Sequence, residues 1–230
     1  MNFNEIKRDF TRYKATYVLS LLTTLVWLWQ FFSFGAQATS TINLFNAGAF
    51  FGPAILQDPS QIWRLFTPIF VHIGWVHFLM NIATLFFIGR QVENVFGWLR
   101  FTLIYLLSGI FGNALVFLIT PNIVSAGAST SLFGLFAAVA GIGYFTQHPF
   151  LQQIGKTFAV LIIANLFLNL FSLGNVSIWA HVGGAIGGVL LAAILPPKAF
   201  KPSIPAQFRI FATGAFLVLL VLFVTLSFFK

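Results

Sequence analysis

The chain has 230 residues, 59% of them hydrophobic and only 7% charged, with a mean hydropathy of +0.94. A soluble domain carries roughly a quarter charged residues, so this composition excludes a water-exposed globule and describes one all-α polytopic membrane domain. The net charge of +8 is not a nucleic-acid footprint, because Lys and Arg sit in short clusters between apolar runs with no basic face. With no cysteine, disulfides, thiolate metal sites and a cysteine nucleophile are excluded as well.

Residues 1–15 form a short basic arm with Lys7, Arg8, Arg12 and Lys14. The first apolar run, Thr16 to Phe34, is long and aromatic, which predicts an uncleaved membrane helix rather than a signal peptide. From Gly35 to Trp75 the chain stays apolar but is broken by Gly48, Gly52, Pro53, Pro59 and Pro68. Such a segment is expected to lie in the membrane interface as short helices packed on the bundle. Further spans are predicted over Val76–Ile88, extended by its flanks and ending at Gly89 to Glu93, and over Phe101–Ile119, Ser129–Thr146, Thr157–Phe171 and Val176–Leu195, giving a six-helix core over residues 16–195. A basic linker, residues 196–209, leads to a seventh span within residues 210–230.

Charge sets the topology. With the amino terminus in the cytoplasm and the carboxyl terminus outside, only Arg64 and Lys230 of the 12 Lys and Arg fall on the outer side. A bacterial cell membrane is the simplest location, since the amino-terminal arm contains acidic residues, unlike an organelle transit peptide.

The stretch Ser125-Ala126-Gly127-Ala128-Ser129-Thr130-Ser131 places serines where a polar turn becomes a long apolar helix. Unpaired N–H groups and the helix dipole favour negative charge there, so Ser129 can attack a carbonyl and have the oxyanion held by the same terminus. By itself the stretch also reads as a helix cap at a small-residue contact. The sixth span changes the balance: His181 lies a turn or so inside its outer end, at a depth matching Ser129. Gly184 and Gly188 make a small-residue face that lets another helix approach. If that helix is the fourth span, His181 serves Ser129 as general base; the competing reading is a structural histidine bonded to a carbonyl.

His77 and Asn81, four residues apart near the outer end of the second span, point the same way. They suit an oxyanion hole, or a buried hydrogen-bond network holding the bundle. No intramembrane carboxylate completes a site with the four histidines, and His148 falls on the inner side, so neither metal nor cofactor is expected.

Together these residues resemble the rhomboid family of intramembrane serine proteases. The match runs in order through Trp63-Arg64, His72, His77 with Asn81, Gly89 to Glu93, the Gly127-Ala128-Ser129 core, and His181 with Gly184 and Gly188. The seventh span resembles the six-plus-one arrangement of part of that family. The resemblance implies Ser129 as nucleophile and His181 as base in a dyad without an acid. It implies an oxyanion hole from His77, Asn81 and the Ser129 N–H, and structural roles for Trp63, Arg64 and Glu93. Phe133, four residues after the serine, takes the place of the aromatic that stacks on the histidine. The family usually has glycine after the serine; Thr130 stands here, and its β-branch is expected to add bulk beside the nucleophile. Transmembrane protein substrates and membrane lipids are the implied partners. The rivals are a rhomboid-like protein that binds helices without cutting, and a small transporter. A transporter would carry polar residues through the full membrane depth, whereas here they gather at the outer ends of three spans.

Overall fold

The computed structural model describes residues 2–170, 177–197 and 204–230. The end of the fifth predicted span at Phe171, the turn Ser172 to Asn175, the start of the sixth at Val176 and residues 198–203 of the linker lie outside them.

The protein is a multi-pass integral membrane protein built as an all-α bundle. In chain order the long helices are α1 (Phe3–Arg12) and α2 (Lys14–Phe34), followed by the short α3 (Thr41–Asn46) and α4 (Gly52–Gln57). After two 3₁₀ turns come α5 (Trp75–Phe96), α6 (Trp98–Ile119), α7 (Ser129–Phe145), α8 (Pro149–Leu170), α9 (Ile178–Ile194) and α10 (Ala206–Ser227). A two-stranded antiparallel ribbon pairs β1 (Phe50–Phe51) with β2 (Val124–Ser125), tying the connection between α2 and α5 to the segment leading into α7.

Several boundaries differ from the hydropathy reading, each for a local reason. The basic arm is itself a helix: Asn2 and Glu5 close a capping box, and Ile6 and Phe10 recur on one side among basic residues. The second span runs through its polar end at Gly89 to Glu93 and on to Phe96, because that end is partnered. Arg90 pairs with Asp9. Both Glu93 oxygens accept from the start of α2, at Ala15 N (3.0 Å), Thr16 N (2.8 Å) and Thr16 Oγ1 (2.7 Å). A carboxylate there satisfies orphan N–H groups and complements the helix dipole. The fifth helix starts at Pro149 rather than Thr157, its polar first turns being helical too.

The apolar but broken connection between α2 and α5 folds as expected into short helical pieces, with Pro59 and Pro68 opening 3₁₀ turns. Arg64 holds this connection together by donating to the carbonyls of Phe45 (2.8 Å) and Ala49 (3.0 Å), and it lies over the Phe45 ring. Asn113 on α6 donates to Leu65 O at 2.9 Å, and Gln30 on α2 donates to the carbonyls of Ala38 and His72, both at 2.9 Å. The loop is therefore anchored to two helices.

Candidate active site

Three helices begin at one end of the bundle, and the polar residues meet there. The α7 and α9 helices have 17 residues each, against 22 for α6. At 1.5 Å per residue, α7 and α9 reach only about 25 Å, less than the roughly 30 Å hydrocarbon core. A helix this short, with its other end at the opposite surface, starts below the near one.

The approach of α7 to α9 follows from glycine. A Cβ on Gly184 would collide with the Thr130 carbonyl, and one on Gly188 with the Gly134 carbonyl. The small-residue stripe of α9 thus faces α7 at backbone distance. This contact sets Ser129 Oγ 2.8 Å from His181 Nε2, and both side chains come from first turns of their helices. The Phe133 ring stacks on the imidazole with centroids 4.1 Å apart and planes 6° from parallel, which fixes the ring's orientation.

The cap reading of Ser129 does not hold. Ala128 is the N-cap of α7, no side chain bonds the helix start, and the Ser129 hydroxyl faces the imidazole instead. The two residues that follow pack against α6. Ser131 is fully buried with its Oγ over Gly109, and the Thr130 methyl sits over Gly112 of α6. The bulk expected beside the nucleophile is therefore stored in the α6–α7–α9 seam, in a space that glycine leaves.

Gly127 has φ +135°, a conformation costly for any residue with a Cβ. A Cβ at that position would also lie 2.5 Å from His77 Cε1 and 2.9 Å from His77 Nε2, so the bare backbone lets the imidazole close on the turn before Ser129. His77 Nδ1 accepts from Ile73 N at 3.4 Å, which leaves the ring proton on Nε2, the nitrogen facing Gly127. Asn81 is buried and donates one amide N–H to the His77 carbonyl at 2.9 Å, its second N–H being unspent by that bond. His72 is buried with its Nδ1 donating to Phe70 O at 3.1 Å and its ring edge-on to Trp27. It belongs to the loop anchorage. Burial first, and the nearby His77 second, push its pKa down to about 3.

Trp63 is exposed on the same connection, with the Arg64 guanidinium over its ring, and Glu93 sits at the opposite end of the bundle. The sequence reading overlooked Gln30, Asn113 and Gly112, all polar or small positions inside apolar helices, where such residues are otherwise costly or unusual. Among the described residues, no three of His, Asp and Glu gather closely enough to hold a metal ion.

A hydroxyl on an imidazole, beside first-turn N–H groups and a second imidazole, can run acyl transfer: the base activates the hydroxyl, and the donors hold the oxyanion. Comparison with known proteins identifies the family. The Rhomboid domain matches residues 59–198, and the chain belongs to the rhomboid family. It is similar to the rhomboid protease GluP of Bacillus subtilis, 36% identical over 191 residues covering 83% of this chain and 37% of GluP. With YdcA of the same organism the identity is 32% over 189 residues, covering 80% of this chain and 89% of YdcA. With RHOMBOID-like protein 7 of Arabidopsis thaliana it is 36% over 135 residues, 59% of this chain and 43% of the plant protein.

Proposed function

We propose that this chain is an intramembrane serine endopeptidase that cleaves transmembrane segments of other membrane proteins near their extracytoplasmic ends. The observation that carries the reading is the 2.8 Å pairing of Ser129 Oγ with His181 Nε2 across two short helices. Ser129 Oγ attacks the scissile carbonyl carbon while His181 Nε2 takes its proton. The oxyanion is received by the Ser129 N–H, the His77 Nε2–H and the free Asn81 N–H. As the C–N bond breaks, His181 returns the proton to the leaving amine. Water, deprotonated by the same imidazole, then cleaves the ester and restores Ser129. Phe133 holds the ring in plane throughout, and no cofactor takes part.

Substrate helices that unwind easily at small, Pro or Gly residues expose a peptide bond to the site most readily. The basic end of the bundle faces the cytoplasm and the site faces the outer side, in a bacterial cell membrane, as the positive-inside distribution and the two Bacillus subtilis relatives support. Residues 16–195 are the catalytic core and α10 is an addition to it.

The test is labelling of the purified protein with a serine-reactive fluorophosphonate. Wild type labels, and Ser129→Ala and His181→Ala do not. Equal labelling of all three overturns the dyad, and absence of labelling in folded wild type favours a helix binder that does not cut.

A further inference from the structure

At the end of the bundle away from the dyad, α10 leaves α9 to form a groove of about 590 Å³. Its wall is Ile194 of α9 and, on α10, Ala206, Ile210, Thr213, Gly214 and Leu217, with Arg209 at the rim. The core-facing stripe of α10 is a different one: Ala212 and Phe216 are buried, and Phe216 and Phe223 pack on Phe111 of α6. The groove therefore lies beside the helix contact. A Cβ added at Gly214 would meet nothing within 4 Å, so the cleft is open at its middle.

Charge says what the groove takes. Arg209 Nη2 donates to Ile194 O at 3.4 Å, which uses one of its five N–H groups. The chain has only four carboxylates, and each is engaged elsewhere. Glu5 closes the Asn2 capping box, Asp9 pairs with Arg90, Asp58 accepts from Ser60 in the outer loop, and Glu93 caps α2. No acidic group of the protein is left to neutralise Arg209, whose guanidinium sits roughly 20 Å along α9 from His181. That is also the end where Arg12, Lys14 and Arg90 lie. A cation at the mouth of an apolar inter-helix cleft on the basic side matches a phospholipid: the phosphate on the guanidinium, an acyl chain along the apolar wall.

We infer that this groove is a binding site for one anionic glycerophospholipid of the inner leaflet, with its phosphate on Arg209 and an acyl chain along Ile210, Gly214 and Leu217. The site lies apart from the dyad and depends on neither its chemistry nor its activity.

The test is native mass spectrometry of the full-length, delipidated protein offered phosphatidylglycerol or phosphatidylcholine with matched chains. Wild type retains one phosphatidylglycerol in preference to phosphatidylcholine by about fivefold, the ratio that one cationic contact near a membrane supplies. Arg209→Gln removes the preference while chain binding persists. Gly214→Leu, which fills the cleft and leaves the charge, abolishes retention of both lipids. Lys7→Gln combined with Arg8→Gln, on α1, leaves the preference intact. Equal retention of the two lipids by wild type, or an undiminished preference in Arg209→Gln, overturns the site.

Discussion

The contact of Gly184 with the Thr130 carbonyl offers the sharpest test of how the site is held. In Gly184→Ala the new Cβ lands inside the Thr130 carbonyl oxygen, with Thr130 C at 3.1 Å and Thr130 Cγ2 at 3.3 Å. Non-bonded carbons settle near 3.5–4.0 Å, so α7 and α9 must part by roughly 1 Å at this point. Thr130 follows Ser129 directly and Gly184 lies one turn past His181, so the displacement falls on the 2.8 Å contact itself. An increase of that size takes it beyond hydrogen-bond range. Misplacement by about 1 Å costs on the order of 10²-fold in rate, and overpacking a tight contact costs about 1–3 kcal/mol of stability. The matched control is Gly141→Ala on α7, whose new Cβ meets Val189 at an ordinary 3.7 Å. That variant keeps its activity and gains up to about 1 kcal/mol from helix propensity. The assay pairs fluorophosphonate labelling rate with thermal unfolding in one mild detergent. Wild-type labelling by Gly184→Ala, or equal damage from both alanines, refutes the argument that glycine sets the dyad distance.

Further outcomes follow from the same contacts. Thr130→Gly removes a methyl packed over Gly112 and adds backbone freedom, so it lowers stability by about 1–2 kcal/mol without raising the labelling rate more than about twofold; a large gain in rate would show that the threonine does crowd the nucleophile. Glu93→Ala strips three hydrogen bonds from the start of α2 and lowers the unfolding temperature, at about 1.5–3 kcal/mol for charged hydrogen bonds, while labelling at low temperature persists; unchanged unfolding would deny the capping role. His72 is held neutral in the fold with its pKa near about 3, against an ordinary 6.5 in the unfolded chain. Between those values the unfolded state binds the extra proton, so His72's contribution is complete above about pH 6.5 and is lost as pH falls, by up to roughly 1.4 kcal/mol per pH unit. His72→Gln, compared with wild type across pH 8 to 5, flattens that part of the slope; identical slopes would sink the assignment.

Much of this architecture is legible in the chain because the bilayer is a severe solvent. Twenty or so apolar residues must become a helix, since no water satisfies their backbone, and this alone places the spans near Thr16, Phe101 and Ile210. Ser129, His181, His77 and Asn81 stand out for the same reason, as polar groups near the ends of mostly apolar helices. The ends of helices were less visible. Gly89 to Glu93 read as the end of the second span, but partners from α1 and α2, more than seventy residues earlier, keep the chain helical on to Phe96.

Pairing and rotation are what tertiary structure alone decided. Hydropathy says that a helix is buried but not which neighbour it meets, because lipid and protein interior are equally apolar to a leucine. Only the packed bundle shows Gly184 and Gly188 turned to α7, Ser131 turned to Gly109, and the Thr130 methyl lodged over Gly112 away from the nucleophile. The anchors Gln30 and Asn113 reach loop carbonyls 42 and 48 residues away, a register fixed by helix rotation and absent from any local pattern. Residue types set which groups had to be satisfied inside the membrane; steric fit between helices set which partners satisfied them.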